Sequence, residues 1–360
     1  MRTRKASVLI VSLAMILPLA MVVCASTGVL DIPWQVSFKS LLQALGLSSS
    51  DVDPQQHMVL WQIRWPRVVL AAMVGATLAL CGATMQGLFR NPLADPSLIG
   101  VSSGASLGAA VAIVLGATLL AGLSSWFDGL LAEQAYWLRQ YLIAACASLG
   151  GFIASVLVYR LGTTPHGTSV ATMLLAGIAI TALAAALSNI LSFIADDLAL
   201  RQITLWKMGS LDGANWQRVL GGGILLLLVL VALPRYSREL NALLLGESEA
   251  RHLGIAVERL KLKLIAWTAL GVGVSVSLSG IIGFVGLVVP HLVRLMIGPD
   301  HRTLLPASAL LGAILLVLAD SVSRQVFSPE VIPIGIVTAL LGAPFFISLL
   351  LQQRQRMLLQ

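Results

Sequence analysis

Apolar stretches long enough to cross a bilayer recur along nearly the whole chain. A spanning α-helix needs about 20 predominantly apolar residues. Windows of that kind fall near 8–29, 67–88, 97–121, 142–161, 171–194, 218–233, 264–284, 303–323 and 332–352, with a half-length window at 286–297. Charged residues make up 11% of the 360 and hydrophobic residues 58%, whereas an ordinary soluble domain carries about 25% charge. A water-soluble globule cannot hide so much apolar surface, which excludes a soluble enzyme and a secreted scaffold. Backbone polar groups in lipid must be satisfied within the spanning segment, as a helix does. The expectation is an all-α, polytopic membrane protein of about ten transmembrane helices, a single domain over residues 1–360.

Arg2, Arg4 and Lys5 precede the first apolar run, which is longer than the roughly 7–15 apolar residues of a cleavable signal; it is expected to be a retained span. Cys24, Cys81 and Cys146 fall inside expected spans, which argues against a disulfide framework. Ten crossings put both termini on one side. With that side cytoplasmic, the 23 Lys and Arg divide 15 inside and 8 outside, and the 16 acids 6 inside and 10 outside. The formal net charge of +7 is then +9 within and −2 without, as the positive-inside rule requires. Nothing in the basic excess is left for a nucleic acid, and no Lys/Arg-rich run with interleaved aromatics exists to bind one. The largest cytoplasmic loop, about 234–263, is polar, is expected to be helical with breaks at Gly246 and Gly254, and is too short for a catalytic domain. The outer segment of about 31–62 carries Pro33, Pro54 and a Ser48-Ser49-Ser50 turn.

Small residues on one face let helices approach closely in lipid. Gly100, Gly104, Gly108, Ala112 and Gly116 recur every four residues on the third expected span, and Gly75, Ala79 and Ala83 do so on the second. Gly75, Gly82 and Pro92 share their spacing with Gly273, Gly280 and Pro290 at an offset of 198 residues, which also pairs Val74 with Val272, Ile99 with Ile297 and Gly100 with Gly298. Because the second expected span runs inward and the seventh outward, this offset suggests an inverted repeat of the kind that flanks a transport path.

Three blocks carry a resemblance. The first runs from Arg64-Trp65-Pro66-Arg67 through Gly75-Ala76, Gly82, Gln86 and Arg90-Asn91-Pro92-Leu93-Ala94-Asp95-Pro96 to Gly100 and Gly104-Ala105. The second is Gly280-Ile281-Ile282-Gly283-Phe284-Val285-Gly286-Leu287-Val288-Val289-Pro290-His291 with Arg294 and Asp300-His301-Arg302. The third is Pro333-Ile334-Gly335 with Gly342-Ala343-Pro344-Phe345-Phe346. Together they resemble the permease subunit of bacterial binding-protein-dependent ABC importers for iron-siderophores, haem and cobalamin, over about residues 60–352. The resemblance implies an inverted-repeat importer permease in the inner membrane. It further implies a homodimer, two cytoplasmic ATPase subunits that bind ATP and magnesium, and a periplasmic substrate-binding protein. The chain itself has no G-x4-GK[ST] phosphate loop, so ATP hydrolysis falls to another subunit. The permease is expected to have no catalytic residue, resident cofactor or metal.

The resemblance assigns ATPase coupling to Gly246, Glu249, Ala250, Arg251, His252, Leu253 and Gly254. A short helix ended by glycine can pass on closure of a partner as rigid-body motion; a solvated loop with ordinary caps is the alternative. It assigns binding-protein docking to Arg64, Arg67 and Arg324, whose forked guanidinium takes a carboxylate bidentately. Snorkelling to lipid headgroups is the alternative for each, and Arg324 has Asp320 one turn away.

The segment from Asp196 to Leu211, with its Leu-Arg…Leu-Trp…Met-Gly-Ser-Leu pattern, is similar to the haem-importing branch. It places Asp197, Arg201 and Trp206 on the substrate path. Arg201 either meets a haem propionate or pairs with Asp196 or Asp197. His57, His166, His252, His291 and His301 lie in separate segments without an i, i+4 pair, so no histidine relay for haem iron follows from spacing. The same importer class carrying a ferric siderophore or cobalamin is the alternative. A proton-coupled secondary transporter is a more remote one, since it wants carboxylates deep in spans and only Asp320 comes near.

Overall fold

The computed structural model describes residues 2–28, 30, 32–44, 46–47, 53–126, 135–164, 167–328 and 330–358. Helices dominate. In chain order they are α1 (Arg2–Ser26), α2 (Trp34–Ala44), α3 (Pro54–Met58), α4 (Trp65–Leu88), α5 (Val101–Trp126), α6 (Ala135–Gly162), α7 (Val170–Ile194), α8 (Asp197–Lys207) and α9 (Trp216–Ala232). They continue with α10 (Ser237–Leu245), α11 (Glu247–His252), α12 (Val257–Ser279), α13 (Val285–Ile297), α14 (His301–Gln325) and α15 (Ile334–Leu358). A two-stranded antiparallel hairpin, β1 (Thr163–Thr164) and β2 (Gly167–Thr168), joins α6 to α7.

Among the described residues, seven helices are long and apolar enough to cross a membrane, and three shorter apolar helices accompany them. These ten coincide one for one with the ten apolar windows. The start of the second differs from expectation. Helix runs without interruption from Pro54 to Leu88, through a π-type stretch at Val59–Arg64. Pro54 sits at the first helical position, and the Asp53 carboxylate accepts the Gln56 amide, so the chain enters the helix well before the apolar run begins. The expected Ser48-Ser49-Ser50 turn and His166 lie outside the described residues.

Polar caps punctuate the apolar helices. Ser169, Asp196, Asn215 and Asp300 each accept a backbone N–H of the first turn of α7, α8, α9 and α14 respectively. These side chains satisfy orphan donors where a helix begins. At the other ends, Gly280 and Gly298 take positive φ and stop α12 and α13.

Two compact units share the chain. The first comprises Met1–Ala83, Ser210–Asn241 and Ile282–Gln360, the second Thr84–Gly209 and Ala242–Ile281. In the first, α1 and α13 pack on α14, and the small-residue stripe of α4 does the work expected of it. A methyl on Gly75 would meet the carbonyl of Gly312, and one on Gly82 the carbonyl of Gly286. In the second unit α5 packs on α6 and α7, and α12 on both α5 and α6. Gly104 faces Gly150 and Gly108 faces the Cys146 carbonyl along the α5–α6 seam.

Gly100 is not part of that stripe. With φ of +76° it ends a one-turn 3-10 segment, Pro96–Ile99, immediately before α5. The 198-residue offset registers some positions and not others: Gly75 and Gly273 both lie inside helices, and Gly100 and Gly298 both end a helical segment at positive φ. Gly82 lies inside α4 whereas Gly280 terminates α12, and Pro92 lies in a turn whereas Pro290 is inside α13. Glycine serves both close packing and helix termination, so its spacing alone does not mark a repeat.

Large apolar side chains remain exposed on α1, α7 and α9, among them Met15 (68%), Leu175 (68%), Phe193 (89%) and Leu220 (63%). On a soluble protein such patches would be a liability; on a spanning helix they are the lipid-facing or subunit-facing surface.

Candidate functional site

Two polar clusters and one exposed helix carry the chemistry in this otherwise apolar chain. The first cluster surrounds α11. Gly246, at φ +129°, lets the chain turn sharply from α10 into α11. Gly254, at φ +83°, follows α11, and nothing lies within 4 Å of where its Cβ would be. Both breaks were legible in the sequence. Ala250 is buried and anchors the short helix, while Glu249, Arg251, His252 and Leu253 face outward. Leu253 is 64% exposed and Leu245 68%, an apolar element within a polar surface.

What holds this helix in place is Lys261, in the first turns of α12 and only 2% exposed. Its ammonium donates to Glu247 at 2.8 Å and to the Thr168 carbonyl at 2.9 Å, and lies 3.4 Å from Glu258. Glu258 accepts the Thr168 amide at 2.9 Å. Arg251 flanks both carboxylates at 3.7 and 3.6 Å. One buried cation therefore ties α11, α12 and the β1–β2 hairpin together. A buried charge persists only when paired and hydrogen-bonded, and Lys261 meets both conditions. The sequence offered one weak signal, the Glu258–Lys261 spacing of one helical turn; Thr168 and Glu247 are brought in by the fold.

The second cluster holds the three arginines expected to dock a partner. All three are engaged within the chain. Arg64 is 6% exposed, and its guanidinium donates to the carbonyls of Ala25, Ser26 and Leu30 at 3.1, 2.5 and 2.5 Å. It is built into the end of α1 and the segment that follows. Gly28 makes room for it: a Cβ there would lie 2.8 Å from an Arg64 terminal nitrogen.

Arg67 donates to Asp320 at 2.8 Å and to Asp212 at 2.6 Å. Arg324 donates to the other oxygen of Asp320 at 3.1 Å and to the carbonyls of Thr27 and Cys24 at 2.7 and 2.9 Å. Asp320, with 1% of its side chain exposed, is thus shared by two arginines, while Asp212 is 58% exposed. The Arg324–Asp320 pair follows from i, i+4 spacing. Arg67 and Asp212 are 145 residues apart, and no local pattern marks them.

Along α8, the Asp196 carboxylate caps the helix by accepting the Ala199 amide at 2.7 Å. Asp197 and Arg201 are exposed and Trp206 half-buried. Arg201 forms no hydrogen bond or ion pair among the described residues, so the alternative pairing with Asp196 or Asp197 has no counterpart. The Trp206 carbonyl is crossed by the backbone at Gly280, where a methyl would collide with it. Glycine at φ +67° is required there.

Asn241 joins the remaining motif. Its side-chain oxygen accepts the His301 amide at 2.8 Å and lies 2.9 Å from His301 Nδ1, while its amide donates to Asp300 at 2.6 Å. Burial pushes the Asp300 carboxyl up, but the Arg302 amide, Asn241 and the Arg302 charge outweigh it and hold the group below its usual range.

Residues 16–352 match the family described as the FecCD transport family. The chain is 44% identical over 309 residues to the hemin transport system permease protein HmuU of Yersinia pestis, covering 86% of this chain and 87% of that one. It is 42% identical over 307 residues to the cobalamin import system permease protein BtuC of Halobacterium salinarum, covering 85% and 77%. It is 43% identical over 296 residues to the vitamin B12 import system permease protein BtuC of Salmonella typhi, covering 82% and 84%. Among solved structures, a metal-chelate type ABC transporter in an inward-facing conformation superposes with a TM-score of 0.78 at 33% identity, covering 95% of this chain and 98% of that one.

Proposed function

The chain belongs to the FecCD transport family and is a multi-pass ABC importer permease, and from that premise we propose that it carries haem across the bacterial inner membrane, periplasm to cytoplasm. It acts as a homodimer, its whole length one permease domain, with both termini cytoplasmic. Two ATPase subunits bind ATP and magnesium, a periplasmic protein delivers cargo, and the permease contributes no catalytic residue, resident cofactor or metal of its own.

The observation that carries this reading is the construction of the coupling segment. Gly246 and Gly254 bracket a helix whose Glu249, His252 and Leu253 face outward, with Arg251 exposed beside Glu247 and Glu258. Its inward side is clamped to α12 and the hairpin through Lys261. A contact surface fixed to a spanning helix moves with it, which is what conversion of ATPase closure into alternating access needs. An unanchored solvated loop would absorb the displacement.

Arg67 and Arg324, with side chains 12% and 9% exposed, supply the docking groups for the binding protein, and Arg64 supports them by shaping the segment after α1. A binding-protein carboxylate reaching Arg67 replaces Asp212, the exposed member of the network. Asp212→Ala therefore strengthens docking, and salt weakens docking in both forms.

Haem as cargo draws on the Asp196–Leu211 segment and the hemin permease relative. The path runs past Asp197, Arg201 and Trp206. Cobalamin is the second reading, favoured by relatives of nearly equal identity; a ferric siderophore is a third. A proton-coupled mechanism is disfavoured because Asp320, a buried carboxylate within a span, is held by two arginines. Reconstitution with the partner subunits, offered haem, a ferric siderophore and cobalamin in parallel, tests the assignment. Uptake of haem that stops when the ATPase is omitted is expected; uptake that persists without it would overturn the importer mechanism for this chain.

A further inference from the structure

The second unit contains a cavity of about 650 Å³ between α5, α7 and the end of α8. Its wall is mostly apolar, with a few polar groups set into it. Ser102, Ser103 and Ser106 face it from α5, and Thr181, Ser188 and Asn189 from α7. Lys207, in the last turn of α8, is the charged residue among the groups that line it.

Three features point to a ligand. Ser188 is 2% exposed and its hydroxyl has no hydrogen-bond partner among the described residues, which is costly for a buried polar group unless something else occupies the site. Lys207 forms no ion pair or hydrogen bond among the described residues, and so it does not serve as a cap on the α8 carbonyls. Among the described residues no carboxylate lines the cavity, so its mostly apolar wall carries a few hydroxyl and amide groups and one ammonium without a counter-ion.

We propose that this cavity is a cargo station whose Lys207 receives an anionic group of a metal chelate, a carboxylate or phosphate, while the Ser188 hydroxyl and its neighbours on α5 and α7 hydrogen-bond the polar periphery. Lys207 is then a specificity-determining residue. Haem presents two propionate carboxylates, cobalamin one phosphodiester among neutral amides, and an uncharged chelate nothing for the ammonium. The station lies next in sequence to Trp206 but is distinct from Arg201, which is exposed and does not line the cavity. This rests on the import function proposed above.

The test uses the complete complex, with ATPase and binding protein, in vesicles of zwitterionic phosphatidylcholine, so that the lipid supplies no net anion. Haem, cobalamin and an uncharged ferric chelate are offered separately, and uptake and ATP hydrolysis are measured together. Lys207→Met should lower haem uptake about tenfold or more, the loss expected for one charge-assisted contact, with binding-protein-stimulated ATP hydrolysis retained. Lys207→Arg should restore uptake, and Ser188→Ala, which keeps the fold with one atom fewer, should lower it several-fold.

Uptake of haem by Lys207→Met at the unaltered rate would overturn the station alone. So would equal loss of uptake and ATP hydrolysis without rescue by arginine, because the lysine would then be structural. Import of the uncharged chelate in preference to the anionic ones would also overturn it. Absence of ATP-dependent uptake of any chelate by the unaltered complex would overturn the import function, and the station with it.

Discussion

Replacing Lys261 by methionine keeps the length and apolar stem of the side chain and removes its ammonium. The structure sets the size of the effect. The bond to Glu247 at 2.8 Å joins a buried cation to a carboxylate 28% exposed. It therefore falls between an exposed pair, worth about 0.2–1 kcal/mol, and a dry charge-assisted bond of about 1.5–3 kcal/mol; ~1 kcal/mol is appropriate. Leaving the Thr168 carbonyl without its donor adds ~1 kcal/mol. The contact to Glu258 is 3.4 Å long and its carboxylate 38% exposed, so it adds only a few tenths.

The sum, about 2 kcal/mol, corresponds to roughly a 30-fold increase in local opening. Hydrogen–deuterium exchange on the solubilised permease reads this directly. In Lys261→Met the amides of Thr163, Thr164, Gly167 and Thr168 and of α11 should exchange about 30-fold faster, while the α5–α6 seam stays unchanged. The Thr168 amide, bonded to Glu258, is the most informative single position. In the reconstituted complex the same variant should hydrolyse ATP with reduced uptake per ATP. Unchanged exchange at Thr168 and through residues 247–252 would refute the clamp.

Other perturbations probe the remaining features. Asp320→Asn leaves Arg67 and Arg324 as like charges in a buried network; breaking such a pair costs about 3–5 kcal/mol, and the surviving bonds to Asp212 and the Cys24 and Thr27 carbonyls reduce this to ~2–3 kcal/mol, readable as a lower thermal denaturation temperature of the solubilised protein. Gly82→Ala drives a methyl into the Gly286 carbonyl and should cost at least 1–3 kcal/mol, as overpacking does. Gly221→Ala, where nothing lies within 4 Å, should gain up to about 1 kcal/mol from helix propensity; the opposite order in a thermal assay would contradict the packing described. Asp300→Ala removes the α14 cap and should cost about 1 kcal/mol at neutral pH. Because the folded-state pKa of Asp300 is lowered, its contribution is fully present above the ordinary carboxylate range. It is lost as pH falls through the lowered value, so the gap between Asp300→Ala and the unaltered protein should close in acid.

Residues whose role is set by neighbours along the chain were legible before the fold was known. Gly246 and Gly254 interrupt a polar helical stretch, and they are the breaks on either side of α11. Arg324 and Asp320 are one turn apart, and they pair. Arg64 is the instructive counterexample. Written beside Arg67 in a single tetrapeptide, it reads as part of the same surface group, yet one guanidinium turns to three backbone carbonyls and the other to two carboxylates. Whether an arginine faces outward depends on what the rest of the chain brings to it, here the segment after α1.

Apolar run length and charge scarcity determined the membrane, the helices and their number, because a bilayer sets one length for every crossing and forbids unpaired backbone groups. Those constraints act locally, so a linear pattern records them. The tertiary structure decided where the few charges go. Lys261 reaches Thr168 across 93 residues, Arg67 reaches Asp212 across 145, and Lys207 is left beside a mostly apolar cavity with no partner among the described residues. Pairing over such separations follows from the packing of helices against one another. In a low-dielectric interior, that packing determines whether a charge becomes a clamp, a docking surface or a place for cargo.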